Sequence, residues 1–267
     1  PYPDGPHVPN RAPASPGMRR DATGERGQGV NLLKFVWATG SHKGRVREGN
    51  EDAALPEDSG AGSGPVVIAV ADGMGGHVAG EVASRLAIDA VAATEDSAEE
   101  RVLAGNEAIL EFVGSHPELA GMGTTLTVAI FNGDGTLALG HVGDSRAYLL
   151  RDGELRQLTR DHTVVAELVE LGHLAADAAE RHPQRHLLTR TLGLGPVDID
   201  TEEATLQTGD RVLLCSDGLT TMLVDIEIAQ VLADSDDVES AVWALIEAAN
   251  RAGGMDNTTV AVVDVGP

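Results

Sequence analysis

Positive charge is scarce in this 267-residue sequence: 19 Lys and Arg stand against 42 Asp and Glu, a formal charge of -23. A phosphate backbone or an anionic lipid surface would be repelled by most of such a molecule, which argues against nucleic-acid and membrane-surface partners. Phosphate chemistry here would need local cations, either metal ions or a placed arginine. A single cysteine, Cys215, excludes an internal disulfide framework and suits a reducing compartment, so the expected location is cytoplasmic. Its apolar neighbours in Arg211-Val212-Leu213-Leu214-Cys215 make it a small buried hydrophobe rather than a reactive thiol. Aromatic residues are only 3%, so the core must be built from Val, Leu, Ala and Ile. No run approaches about 18 consecutive apolar residues, which excludes a membrane-spanning helix in the chain. No signal-peptide pattern is expected at its start either.

Six of the twelve prolines lie in residues 1–30, among Gly, Arg, Asp and Ser and without apolar periodicity. That segment reads as a disordered tail, and residues 31–267 as one folded domain. Strand patterns cover Lys34 to Thr39, Val66 to Ala71, Thr125 to Phe131, Thr136 to His141, Arg146 to Arg151, Leu155 to Gln157, Asp200 to Thr205, Arg211 to Cys215 and Thr258 to Val265. Short turns at Asn132-Gly133-Asp134-Gly135 and Asp152-Gly153 predict hairpins, hence antiparallel sheets. Helical spacing of apolar residues covers Gly80 to Ala93, Ala98 to Ser115, Val164 to Leu171, Asp225 to Ala233 and Asp237 to Ala252. The expected class is therefore α+β, antiparallel sheets packed together and covered by helices. The patch Asp58 to Pro65 reads as a linker, and Leu171 to Leu192 as an irregular, mobile flap.

Five Asp-centred motifs carry the chemistry: Arg47-Glu48-Gly49-Asn50-Glu51-Asp52, Asp72-Gly73-Met74-Gly75-Gly76-His77, Gly143-Asp144-Ser145-Arg146, Ser216-Asp217-Gly218 and Asp256-Asn257. Asp72 and Asp217 stand where apolar strands end, and Asp256 stands where one begins, so antiparallel pairing would gather them. A single Asp-Gly pair is usually only a turn or a cap. Carboxylates clustered without a cation would raise one another's pKa values and destabilise the fold, a conflict that divalent ions remove. Oxygen ligands without Cys or paired His favour Mg2+ or Mn2+ over Zn2+ or Cu2+. His162 and His141 read as structural.

These motifs, with Gly123-Thr124-Thr125 and Leu158-Thr159-Arg160-Asp161-His162, resemble in order and kind the PPM or PP2C-type metal-dependent Ser/Thr protein phosphatases, especially the bacterial members. The resemblance runs from about residue 34 to residue 265. It implies a β-sandwich of two antiparallel sheets flanked by helices, in α-β-β-α layers, with a two-metal centre at one end. It implies that Asp72 bridges both ions, that the Gly73 carbonyl joins one, and that Asp217 and Asp256 hold the other. Glu51 and Asp52 then act through metal-bound waters, Arg47 binds the phosphoryl oxygens, and His77 is the general acid. Phosphoserine and phosphothreonine would be hydrolysed by direct attack of a hydroxide bridging two Mn2+ or Mg2+ ions. Expected partners are phosphorylated Ser/Thr proteins, Ser/Thr kinases among them, met by a monomer.

Many family members carry a further acidic residue four positions after the Asp of S-D-G, where this chain has Thr221. A weakly held third ion at Asp144 is the corresponding expectation. A catalytically weak, phosphoprotein-binding module on the same fold is the alternative reading, and a nuclease is disfavoured by the acidic surface.

Overall fold

The computed structural model describes residues 32–179 and 182–267, apart from the side chain of His77. The tail expected over 1–30 lies outside the described residues. From Asn31 to Pro267 the chain forms one compact unit.

Two antiparallel sheets make up its centre. One runs β3 (Gly60–Gly62), β1 (Lys34–His42), β12 (Thr258–Gly266), β11 (Arg211–Cys215), β8 (Arg146–Arg151), β9 (Glu154–Gln157). The other runs β10 (Asp200–Thr205), β7 (Thr136–Val142), β6 (Leu126–Phe131), β4 (Val66–Met74), β2 (Asp52–Leu55), and the two-residue β5 (Gly123–Thr124) pairs with the tip of β4. The β8–β9 hairpin turns through Asp152 and Gly153, both at positive φ (52° and 82°), the backbone a type I′ turn requires.

Alternation along β12 explains the layering. Ala261, Val263 and Val265 join Phe35, Ile68, Phe131, Leu149 and Leu214 in the core between the sheets. Val260 and Val262 face the opposite way, into a second core with α7 (Val238–Ala252) and α6 (Asp225–Asp234). A strand buried on both faces is apolar at consecutive positions, hence its unbroken run. On the other sheet α1 (His77–Ala93) and α2 (Ala98–Ser115) cover Ala69, Val128 and Val142 in a third core. The expected α-β-β-α sandwich is thus present. Helix starts are capped as their sequences imply: Ser97 accepts from Glu100 N at 3.2 Å, and Asp237 from Ser240 N at 2.7 Å.

Three departures from the sequence reading concern short elements. The supposed linker Asp58 to Pro65 contains β3, paired with β1. The β4 strand runs on to Met74 because Gly73 and Met74 pair with Thr124 and Gly123. The supposed flap follows α3 (Val164–Glu170) and includes a short helix, α4 (Ala176–Ala179). Its far end is tied back to the sandwich, with Thr189 N donating to His162 O at 2.8 Å and Leu192 N donating to Thr124 O at 2.9 Å.

The register brings the motif-bearing strand ends to one edge. His42 pairs with Thr258, Cys215 with both Val260 and Arg146, Leu126 with Val142, and Asp52 with Asp72. The turn Gly143–Ser145 crosses between the sheets at this same edge, from β7 to β8.

Candidate metal centre

Asp72 is held by its backbone. Its N–H donates to Thr125 Oγ1 at 3.0 Å, and its carbonyl accepts from Thr124 Oγ1 and from Thr125 N, each at 2.9 Å. Thr125 Oγ1 lies 2.8 Å from Ser145 Oγ, so a chain of buried hydroxyls links this strand end to the turn that carries Asp144. Directly opposite Asp72 in the β2–β4 ladder stands Asp52. Its Oδ2 accepts from Ser216 Oγ at 2.8 Å, and that hydroxyl in turn accepts from Thr259 N at 2.9 Å. Asp52 Oδ1 is buried and has no partner.

Close backbone approach completes the edge. A Cβ on Gly73 would overlap the carbonyl of Gly80 and crowd that of Glu51, so only glycine lets the first turn of α1 sit against β4. A Cβ on Gly218 would overlap the carbonyl of Asn257, so glycine there brings the Asp217 turn against the Asp256 loop. Asn257 is the clamp of that loop: its amide donates to Lys43 O at 3.0 Å and Gly49 O at 2.9 Å, and its Oδ1 accepts from Glu51 N at 2.8 Å. The segment carrying Arg47 and Glu51 is thereby fixed beside Asp256. Arg47 donates to Asp256 Oδ2 at 2.5 Å, and His186 Nδ1 lies 3.6 Å from Asp217 Oδ2.

The electrostatic consequence is a shared negative field. Burial, then Asp52, Asp217, Asp144 and Asp256, hold the Asp72 carboxyl well above the usual carboxylate range. Burial, with Asp217 next, does the same to Asp144, against the opposing pull of Arg146. Asp52 is pushed up to about 7, chiefly by burial, although hydrogen bonds from Thr259 and Ser216 pull the other way. Among the described residues no three His, Cys, Asp or Glu side chains already converge on a single point as finished ligands. The residues nonetheless fit a hard divalent cation: the donors are oxygens, one buried carboxylate oxygen lacks a partner, and like charges raise one another in a way a cation would relieve.

Of the site residues read from the sequence, Arg47, Glu51, Asp52, Asp72, Gly73, Asp144, Asp217 and Asp256 all come to this edge. His77 opens α1 at the same edge, and its side chain lies outside the described residues. Ser216, Asn257, Thr125 and Ser145 were visible in the motifs but had no assigned role; their positioning hydrogen bonds cross long stretches of sequence. Arg146 binds Asp161 through both Nε (2.9 Å) and Nη2 (2.7 Å), so two motifs hold each other. His162 Nδ1 accepts from Gly143 N at 3.1 Å, and His141 is buried against Thr127 and Arg160 O, which makes both structural, as expected. Cys215 is buried, and that burial pushes its thiol up to about 12.

Residues 39–257 match the family model described as protein phosphatase 2C. The chain belongs to the protein phosphatase 2C family. Within that family, it is 45% identical over 242 residues to the serine/threonine protein phosphatase PstP of Mycobacterium tuberculosis, covering 87% of this chain and 45% of that protein. It therefore spans about half the length of this relative. It is 40% identical over 236 residues to the serine/threonine phosphatase Stp of Listeria monocytogenes, covering 83% of this chain and 92% of that one. Among solved structures, the serine/threonine phosphatase PstP/Ppp of Mycobacterium tuberculosis superposes with a TM-score of 0.81 at 44% identity, covering 88% of this chain and all of that one. The PstP catalytic domain described in complex with two manganese ions gives 0.78 at 43% identity, with the same coverage.

Proposed function

We propose that this chain is a divalent-cation-dependent phosphatase domain that hydrolyses phosphoserine and phosphothreonine on proteins. The observation that carries this reading is the gathering of Asp52, Asp72, Asp144, Asp217 and Asp256 at one sandwich edge, where burial and neighbouring carboxylates raise Asp52, Asp72 and Asp144, with the Arg47 guanidinium set among them. Relatives named serine/threonine phosphatases, and a structural neighbour holding two manganese ions, support it.

In this reading Asp72, the Gly73 carbonyl, Asp217 and Asp256 hold two Mn2+ or Mg2+ ions. Glu51 and Asp52 act through intervening water, and Asp144 serves a third, weaker ion. When bound, the cations neutralise the carboxylates and supply Lewis acidity that brings the pKa of water towards neutrality. Arg47 presents its fork of N–H donors to the phosphoryl oxygens, a geometry lysine lacks. Its bond to Asp256 keeps the guanidinium at the site before substrate arrives. His77 gives its proton to the leaving serine or threonine oxygen. Asn257 and Ser216 position Glu51 and Asp52. The partners are phosphorylated proteins, Ser/Thr kinases among them, and the domain acts as a cytoplasmic monomer.

Hydrolysis of p-nitrophenyl phosphate and of a phosphothreonine peptide, measured with Mn2+ and after chelation, tests the proposal. Activity should require the ion and be lost in Asp72→Ala while circular dichroism stays unchanged. Turnover that survives chelation, or survives in a folded Asp72→Ala protein, would refute it.

A further inference from the structure

The end of β1 and the turn after it read His42-Lys43-Gly44-Arg45-Val46-Arg47, three cationic side chains and a histidine within six residues of an otherwise acidic chain. Arg47 is engaged at Asp256, whereas the exposed Arg45 side chain makes no ion pair or hydrogen bond among the described residues. What fixes Arg45 is its backbone, which donates to Gly254 O at 2.7 Å, two residues before Asp256. Arg45 opens instead into a cavity of about 350 Å³ lined by His42, Arg45, Glu247, Asn250 and Arg251, between this turn and the end of α7. Glu247 is matched by Arg251 at 3.2 Å, which leaves Arg45 as the uncompensated charge. Gly44 N donates to His42 Nδ1 at 2.9 Å, so the neutral ring carries its proton on Nε2 and adds a neutral donor.

From this we infer a second phosphate-binding subsite, distinct from the metal centre, that receives another phosphate group on the same peptide substrate. The inference rests on the phosphopeptide reading of the centre. A dianion suits a cavity that offers the unpaired Arg45 fork, an imidazole N–H and a second guanidinium, Arg251, now shared with Glu247. Position puts the subsite beside the centre: Arg45 stands two residues from Arg47 in the same turn, and its N–H donates to Gly254 O, two residues before Asp256, so the second phosphate belongs within a few residues of the one removed. In a molecule of charge -23, a local cationic pocket beside the centre also gives a multiply phosphorylated chain an energetic reason to dock here.

Fluorescence anisotropy with three peptides tests the subsite without relying on turnover: one singly phosphorylated, one carrying a second phosphate two to four residues away, and one carrying Asp at that second position. The doubly phosphorylated peptide should bind about tenfold more tightly than either other peptide. Arg45→Gln should abolish that preference, and Glu247→Gln should increase it by removing the competing carboxylate. Arg156→Gln, on β9 at the far edge of the same sheet, should leave the preference intact. Equal affinities for all three peptides, an Asp peptide that matches the doubly phosphorylated one, or equal losses in Arg45→Gln and Arg156→Gln would overturn the subsite. Failure of the phosphatase reading would show separately, as absent Mn2+-dependent hydrolysis of the singly phosphorylated peptide.

Discussion

At Asp72, burial and four neighbouring carboxylates act in the same direction, and all raise its carboxyl above its usual range. A group held this way costs the folded protein stability once the pH exceeds the group's unfolded value, because ionising it inside the field is unfavourable. Replacing it with the neutral isostere should therefore stabilise the metal-free fold. In chelator at neutral pH, Asp72→Asn should melt above wild type, by about 2–4 °C for each kcal/mol of repulsion relieved. Saturating Mn2+ should reverse the order, because a ligand at 100 times its dissociation constant adds about 2.7 kcal/mol to whichever protein binds it. Thermal denaturation with and without the ion reads both effects. An equal Mn2+-induced rise in the two proteins would remove Asp72 from the ligand set.

Between elements, the decisive contact is backbone on backbone. Gly218 lets the short helix α5 (Asp217–Thr220) meet the Asn257 carbonyl, and a side chain there would have to displace that main chain and the buried Thr258 hydroxyl beside it. Gly218→Ala should cost about 1–3 kcal/mol, as overpacking does. It should also weaken Mn2+ binding, since it spreads the Asp217 turn from the Asp256 loop. Gly114→Ala, in α2 with open space around the added carbon, is the control: it should gain about 0.5–1 kcal/mol and leave the ion unaffected. Melting curves and Mn2+ titration calorimetry separate the two, and unchanged Mn2+ affinity in Gly218→Ala would show that the approach does not position the ligands. The same contact marks how far the sequence could be read. Strands with a strong apolar run, such as β8 and β11, lie where the pattern placed them, and the carboxylates were legible because they stand at strand ends. By contrast β2, β3 and β5 have no periodicity of their own and are strands only because β4 and β1 supply partners. The Ser216–Asp52 and Asn257–Glu51 bonds span 164 and 206 positions, so no local pattern could announce them.

Over the whole molecule, a formal charge of -23 opposes the approach of any phosphorylated peptide, while the turn from His42 to Arg47 and the proposed ions attract it at short range. The two effects differ in reach. At 0.01 M salt the screening length is about 30 Å and the whole acidic surface is felt; at 0.1 M it is about 10 Å and mainly the site's own charges remain. For an acidic phosphothreonine peptide, kcat/KM should therefore rise severalfold between these ionic strengths at fixed Mn2+, opposite to the fall seen where steering is attractive. A phosphothreonine peptide flanked by Lys and Arg should show the reverse slope. Arg45→Gln should steepen the rise for an acidic, doubly phosphorylated peptide, because it removes an attraction whose weakening by salt offsets part of that rise. Steady-state kinetics across the salt series decides the matter. If kcat/KM for the acidic peptide falls with salt, the basic turn and the ions outweigh the net charge even at long range, and acidity of the surface plays no part in substrate choice.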